Sequence, residues 1–297
     1  MLVNSATLDS LRVGFNLEYA KGLGQAPNQY DRIATTIRAT QMEQKYGWLG
    51  KIPNVREWIG QRAIQNLMQH DYSIKEKPFE LTIGVDKDHI ETDNLGIYNP
   101  LFTEMGMSVG SKKNTLAFEL LMAGFSTNCY DGQYFFDTDH PVLDAEGNTT
   151  TVANTDGGSG TPWFLLDVSR ALRPIILQIR KDFEFQSMTD PNMQNVFMNK
   201  EFIYGTDARM NVGFGFWQMA WGSKQTLNAA NYSTARAALM GMKGDYGRPL
   251  GLMPRLLVVP PTLESAALKI VNNELGANGE TNEWKGTAEV LVAPWLA

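Results

Sequence analysis

The stretch LLVVPPTLESAALKIVNNELG, residues 256–276, decides the fold class. Leu256 to Val259 form a continuous apolar run of strand length, and Pro260 and Pro261 break it because proline has no amide proton to give a ladder. Thr262 then caps a helix with Leu263, Ala266, Ala267, Ile270 and Val271 on one face, and Gly276 stops it. A last strand, Glu289 to Val292, follows. A strand feeding a helix, with no internal repeat, assigns the chain to the α+β class.

Outward from this unit, Trp163 to Leu166 and Pro174 to Ile179 predict strands, as do Phe202 with Tyr204 and Val212 with Phe214 and Phe216. Gly213 and Gly215 fall on the opposite face of the last of these, where alternate glycines mean close approach of another backbone or side chain. Tyr134 to Asp139 is a short aromatic strand signal ending at Pro141, and residues 147–160 read as a polar loop. Leu101, Met105 and Val109 recur four apart. A second helical pattern, Leu116, Leu120 and Leu121, begins after Asn114, so residues 100–125 hold one long helix or two. Phe79, Leu81, Ile83 and Val85 alternate with Glu80, Thr82, Gly84 and Asp86, a half-buried strand with Pro78 at its start or edge. Leu8, Leu11, Phe15 and Tyr19 predict an amphipathic helix stopped by Gly22 and Gly24. Ala26 to Asp71 keeps no period despite Ile33, Ile37, Trp48, Ile52, Val55 and Trp58. Such a stretch suits an arm or extended loop that packs on another chain.

A chain of 297 residues holds two domains, or one with large excursions, at roughly 150 residues per domain. Its net charge of -6 argues against a dedicated nucleic-acid binder. No apolar stretch reaches the roughly 18 residues of a membrane span, and the start lacks an export signal, so a soluble, unexported protein is expected. One cysteine excludes an intrachain disulfide and a cysteine-based zinc site. Fourteen Met, seven Trp and 27 Gly suggest extensive packing surfaces within or between chains.

The search for chemistry returns little. His70, His89 and His140 are far apart and form no paired-His motif. Asp131, Asp137, Asp139 and His140 could ligate a divalent metal in a hydrolase, but short Asp side chains and Thr138 capping a turn, with His140 bonding locally, explain the run better. Gly157-Gly158-Ser159-Gly160 lacks the lysine and frame of a phosphate loop and reads as flexible. Cys129 has no cation nearby and reads as inert core. Arg170, Arg173, Arg180 and Lys181 read as solvated or subunit-contact charges, and Phe214, Phe216, Trp217 and Trp221 as packing rather than a base-stacking platform. No catalytic, cofactor or metal residue is assigned, and no cofactor is expected. A structural protein is indicated.

Several runs carry a family resemblance. They are residues 90–98 (IETDNLGIY), residues 130–141 (YDGQYFFDTDHP), Tyr204 to Arg209 with Gly213 to Gln218, and Gly247 to Leu250 leading into Leu256 to Pro261. In this order, from about Tyr72 to Leu296, the chain resembles the major head (capsid) proteins of Mu-like phages. The resemblance implies the Hong Kong 97 type capsid fold, with residues 1–45 as N-terminal arm and 46–95 as extended loop. Residues 96–180 would be the peripheral domain with its spine helix, joined by a return strand near 286–297, and residues 181–285 the axial domain. It also implies a non-enzymatic protein of the virion, assembled in the host cytoplasm into hexamers and pentamers of an icosahedral shell around double-stranded DNA bound without sequence specificity. A portal protein, and separate scaffold or decoration proteins, are the partners that go with it; no membrane is involved. Some relatives of this fold crosslink a loop lysine to a neighbour, and Lys51, Lys75 and Lys77 lie in that region, though edge protection explains lysines there. Two other readings stay open: an encapsulin-like compartment shell, and a metal-dependent hydrolase built on Asp137, Asp139 and His140.

Overall fold

The computed structural model describes residues 5–49, 71–92, 96–190, 192–276 and 279–297. In chain order the elements are α1 (Ser5–Gln25), β1 (Ala34–Arg38), β2 (Glu43–Lys45), β3 (Ser73–Lys75), β4 (Lys77–Asp86), α2 (Lys87–Thr92) and α3 (Asn99–Ala123). They continue with β5 (His140–Leu143), β6 (Thr149–Val152), β7 (Thr155–Gly158), β8 (Trp163–Leu166), β9 (Ile175–Met188), α4 (Gln194–Asn199) and β10 (Glu201–Phe214). The last are β11 (Ala220–Lys224), α5 (Ala229–Met240), β12 (Lys243–Gly244), β13 (Arg248–Pro249), β14 (Leu256–Val259), α6 (Glu264–Val271) and β15 (Glu289–Val292).

Among the described residues two larger sheets organise the chain, ordered β1-β9-β10-β4 and β15-β14-β8-β11-β7. In the first, β1 runs parallel to β9, and β10 runs antiparallel to both β9 and β4. The β9–β10 pair is a long hairpin with α4 at its tip. In the second, β14 lies between β15 and β8, and all four residues of β8 and of β14 are buried, which is why both read as unbroken apolar runs. Pro78 sits on edge strand β4, where its missing amide leaves no ladder bond unmade.

The two helical patterns of residues 100–125 are one helix. α3 runs 25 residues, about 37 Å at 1.5 Å per residue. Asn114 does not divide it: fully buried, its Oδ1 accepts from the amides of Gln29 (3.0 Å) and Tyr30 (2.8 Å), and its Nδ2 donates to the Pro27 carbonyl. One buried polar side chain thereby caps the 27–30 turn from across the fold. α3 also belongs to two cores. Phe102, Met105 and Val109 pack with Leu8, Phe15, Tyr19, Val85, Phe202 and Tyr204. Leu116, Ala117, Phe118 and Leu121 pack into the larger core with β8, β9, β11 and β14.

Several expectations change. Gly22 does not stop α1; a Cβ there would sit 1.9 Å from the Thr103 carbonyl oxygen, and one on Gly106 would sit 2.1 Å from that of Tyr19. The glycines are where α1 and α3 touch backbone to backbone. Residues 26–49 are not a free arm: Ile33, Ala34, Tyr46 and Leu49 are buried in this chain's own larger core. Tyr134 to Asp139 is an irregular turn whose Phe135 and Phe136 are buried, with an isolated bridge from Tyr134 to Asn128. The polar loop at 147–160 contains β6 and β7, so Gly157 and Gly158 lie on a sheet edge rather than in a flexible run. Thr262 lies inside a 3-10 turn, Pro261–Leu263, ahead of α6 and makes no capping bond, and α6 ends before Gly276. Gly213 and Gly215 do mark close approach: added Cβ atoms would lie 2.4 Å from Ile74 Cδ1 and 2.5 Å from the Arg173 carbonyl oxygen. The expected boundary at residue 180 falls within β9, and the strand near 286–297 pairs with β14.

Candidate functional site

The turn from Cys129 to Gln133 and the start of β5 bring together three groups that sequence spacing did not join. His140 Nδ1 lies 2.7 Å from Asp131 Oδ2, and the Cys129 thiol donates to Asp131 Oδ1 at 3.0 Å. Their ligand atoms all fall within 4.8 Å of one another. His140 is fully buried, stacked on Trp217 with ring centroids 3.9 Å apart. Burial pushes the Asp131 carboxyl up, but hydrogen bonds from His140, Cys129 and the Gln133 amide outweigh it and hold the group below its ordinary value. Burial beside that carboxylate pushes the Cys129 thiol well up. A protonated thiol is neither nucleophile nor metal ligand, and the His140 nitrogen that faces Asp131 and Cys129 is already engaged by the Asp131 carboxylate. Cys129, Asp131 and His140 are the described residues best placed to hold a cation, yet their bonding is that of a structural relay closing the 129–140 turn.

Asp137 and Asp139 do not join them. Asp137 accepts from the amides of Tyr134 (3.2 Å) and Thr138 (2.7 Å), which is turn capping. Asp139 is exposed, and its hydrogen bond with Asp137 raises its carboxyl above the ordinary value. Asn154 completes the turn: its Oδ1 accepts from the Asp137 amide at 2.9 Å and its Nδ2 donates to the Phe135 carbonyl at 2.7 Å.

His89 is exposed on α2; His70 and Lys51 lie outside the described residues, as do Ile52, Val55, Trp58 and residues 93–95 of the first family-like run. Arg180 and Lys181 are not free charges. Arg180 Nη2 donates to Glu76 at 2.7 Å and Lys181 to Asp207 at 2.6 Å. Arg170 donates to the Leu250 carbonyl. Phe214, Phe216, Trp217 and Trp221 are all buried, so they pack the core and offer no stacking face. Lys75 and Lys77 are exposed on β3 and on the edge strand β4.

What the chain leaves open is apolar surface. At the tip of the β9–β10 hairpin, Met188, Met193, Phe197 and Met198 are exposed, Phe197 by 80%. On α1, the face opposite Leu8, Phe15 and Tyr19 carries Val13 and Leu17, 60% and 67% exposed, followed by exposed Ala20 and Gly24.

Comparison with known proteins gives a consistent result. Residues 8–296 match the family described as Mu-like prophage major head subunit gpT. The major capsid protein of Escherichia phage Mu is 42% identical over 305 residues, covering 100% of both chains. The Mu-like prophage FluMu major head subunit of Haemophilus influenzae is 45% identical over 298 residues, 97% of each. A chain of the bacteriophage JBD30 procapsid superposes with a TM-score of 0.88 at 44% identity, over 99% of this chain and 100% of that one. A chain of the JBD30 capsid gives 0.79 at 33% identity, covering 100% of both.

Proposed function

This chain belongs to the Mu-like prophage major head subunit family, and from that premise we propose how its surfaces build a head. It is a major capsid protein with the Hong Kong 97 type fold, a structural component of the virion shell and not an enzyme. The observation that carries this is likeness to a procapsid subunit over nearly the whole chain. It sets aside the hydrolase reading, whose Asp137 and Asp139 serve a turn, and the compartment reading, since the matched relatives are phage heads.

The finer proposal is this. Copies form hexamers and pentamers of an icosahedral shell in the host cytoplasm, close it on a portal protein, and enclose double-stranded DNA without reading its sequence. The net charge of -6 supports weak contact with phosphate along the wall. A separate scaffold assists assembly. A trimeric decoration protein is a further partner, by analogy with the minor capsid protein trimers that decorate the JBD30 capsid. α1, α3 and the sheet of β9 and β10 make the peripheral domain, and the sheet of β8 and β14 with α5 and α6 the axial domain. Heterologous contacts repeated by rotation close such a shell, and many weak contacts act together on the lattice.

Negative-stain electron microscopy of the chain expressed alone and beside its neighbouring phage genes tests the reading. Regular shells or tubes are expected, and with the full gene set particles holding DNA. A persistent monomer in both samples would overturn it.

A further inference from the structure

α1 is apolar on two opposite faces. One, with Leu8, Phe15 and Tyr19, is buried against α3 and the sheet; the other, with Val13, Leu17, Ala20 and Gly24 at intervals of four, three and four residues, is exposed. A helix that is apolar on both sides is covered on both sides in its working state. The second open surface projects instead of receiving. α4 caps the β9–β10 hairpin, buries Val196, and turns Phe197 and Met198 outward beside Met188 and Met193. Nothing in the subunit's own stability accounts for four large apolar side chains at an exposed tip.

We propose that the hairpin tip of one subunit docks on the outward stripe of α1 in a neighbouring copy of the same chain. Three observations select a second copy. First, the shapes are complementary: Ala20 and Gly24 leave a shallow row beside Val13 and Leu17, and the tip offers three flexible methionines and one ring, side chains that fill irregular grooves. Second, the charges flanking the α1 stripe are paired within the subunit, Arg12 with Asp9 and Lys21 with Glu18, while beside the tip Lys200 pairs with Asp88 and the Asp190 carboxylate accepts from Asn192. The stripe is flanked by balanced charge, so it does not repel the tip and offers no unpaired counter-ion of its own. Third, four side chains cover far less than the roughly 800 Å² per partner of a stand-alone complex. A contact that small holds only where other contacts keep the partner adjacent, as they do between neighbours in a shell. Tip and stripe lie on different elements, so the contact can run heterologously, tip to stripe, from copy to copy around an axis.

The proposal rests on the shell reading, and its test separates the two. The single native cysteine is buried with its thiol pKa raised, so it stays silent toward oxidants at neutral pH. Particles are prepared carrying Phe197→Cys with Leu17→Cys, and independently Met198→Cys with Val13→Cys, then oxidised and run on denaturing gels. Covalent multimers beyond the dimer are expected from each pair, and monomers from each single substitution. Monomers alone from assembled double-variant particles would overturn the contact while leaving the shell intact, as would dimers from Phe197→Cys alone, which would mean that tip meets tip. A second variant, Phe197→Glu with Met198→Glu, keeps the native circular dichroism and loses about tenfold or more in particle yield, the size expected for one lost buried aromatic contact. Wild-type yield from it would refute the docking. Absence of particles from wild-type chain would instead fail the shell reading and, with it, this one.

Discussion

Gly106→Ala isolates the seam between α1 and α3. The added methyl would sit 2.1 Å from the Tyr19 carbonyl oxygen and 2.7 Å from the Leu23 amide nitrogen, both backbone atoms of a continuous helix that cannot rotate aside. Carbon and oxygen come to rest near about 3.3 Å, so α1 must withdraw by about 1 Å. Overpacking of this kind costs about 1–3 kcal/mol, with backbone clashes at the upper end. Alanine returns about 1 kcal/mol over glycine in a helix interior, leaving a net loss of about 2 kcal/mol. The ceiling is full undocking of α1, which exposes Leu8, Phe15 and Tyr19 at about 1.5–3 kcal/mol each. Gly14→Ala is the internal control: no atom lies within 4 Å of its Cβ, so the same chemical change should stabilise by about 1 kcal/mol. Urea unfolding of unassembled subunits reads both values, and limited proteolysis reads release of α1. If Gly106→Ala matched Gly14→Ala in sign, the helices would not be in backbone contact and the seam would be wrong.

The buried cluster makes two further predictions. His140→Ala strips Asp131 of its 2.7 Å partner and opens a void on the face of Trp217, so it should cost about 3 kcal/mol, whereas Asp137→Ala loses turn bonds worth about 1 kcal/mol; equal thermal shifts would contradict the arrangement. Because the Asp131 carboxyl lies below its ordinary value of 3.8 in the folded state, it contributes stability above that pH and loses it as pH falls through the lower folded value. Unfolding free energies across the acid range should fall more steeply for wild type than for Asp131→Asn, and parallel curves would show that the carboxylate is not specially bonded.

Strands buried on both faces were legible because burial writes itself as an unbroken apolar run. Trp163 to Leu166 and Leu256 to Val259 form strands at the expected residues, and the half-buried edge strand Glu289 to Val292 does so too. Residues 26–49 showed no period for the opposite reason: their side chains answer to scattered partners. Arg32 reaches Glu289 at 2.6 Å, and Tyr46 donates to Gln178 at 2.8 Å. Gly22 was misread because a glycine that ends a helix and one that admits a neighbouring helix look alike in one sequence; only the partner tells them apart. The buried amides were missed although a signal existed. Gln178 stands inside Ile175-Ile176-Leu177-Gln178-Ile179, and an amide within such a run must find bonds, here to Tyr46 and to the Ile74 carbonyl at 3.1 Å. Cys129 and His140 were weighed separately because eleven positions of irregular chain conceal their approach. The open faces that matter for assembly were divided too, Val13 and Leu17 being masked by the stronger pattern of Leu8, Phe15 and Tyr19.

Closure of a shell by repeated rotation demands that each subunit present its contacts at a fixed separation, because a small angular error carried around a ring turns closure into an open helix. The chain meets this demand through α3. One half of the helix is packed into the core that carries α1 and the hairpin, the other into the core that carries β8 and β14. Asn114 fixes the turn that joins α1 to β1, and Arg32 bridges the following turn to β15. The outward stripe of α1 therefore stands where the glycine seam puts it, and the tip where the β9–β10 register puts it, both referred to the same rigid helix. Moving α1 by 1 Å at Gly106 shifts the receiving stripe relative to the tip of the same subunit. That variant should consequently impair assembly at subunit concentrations where it is still folded, and the drop in shell yield should exceed its loss of folded subunit.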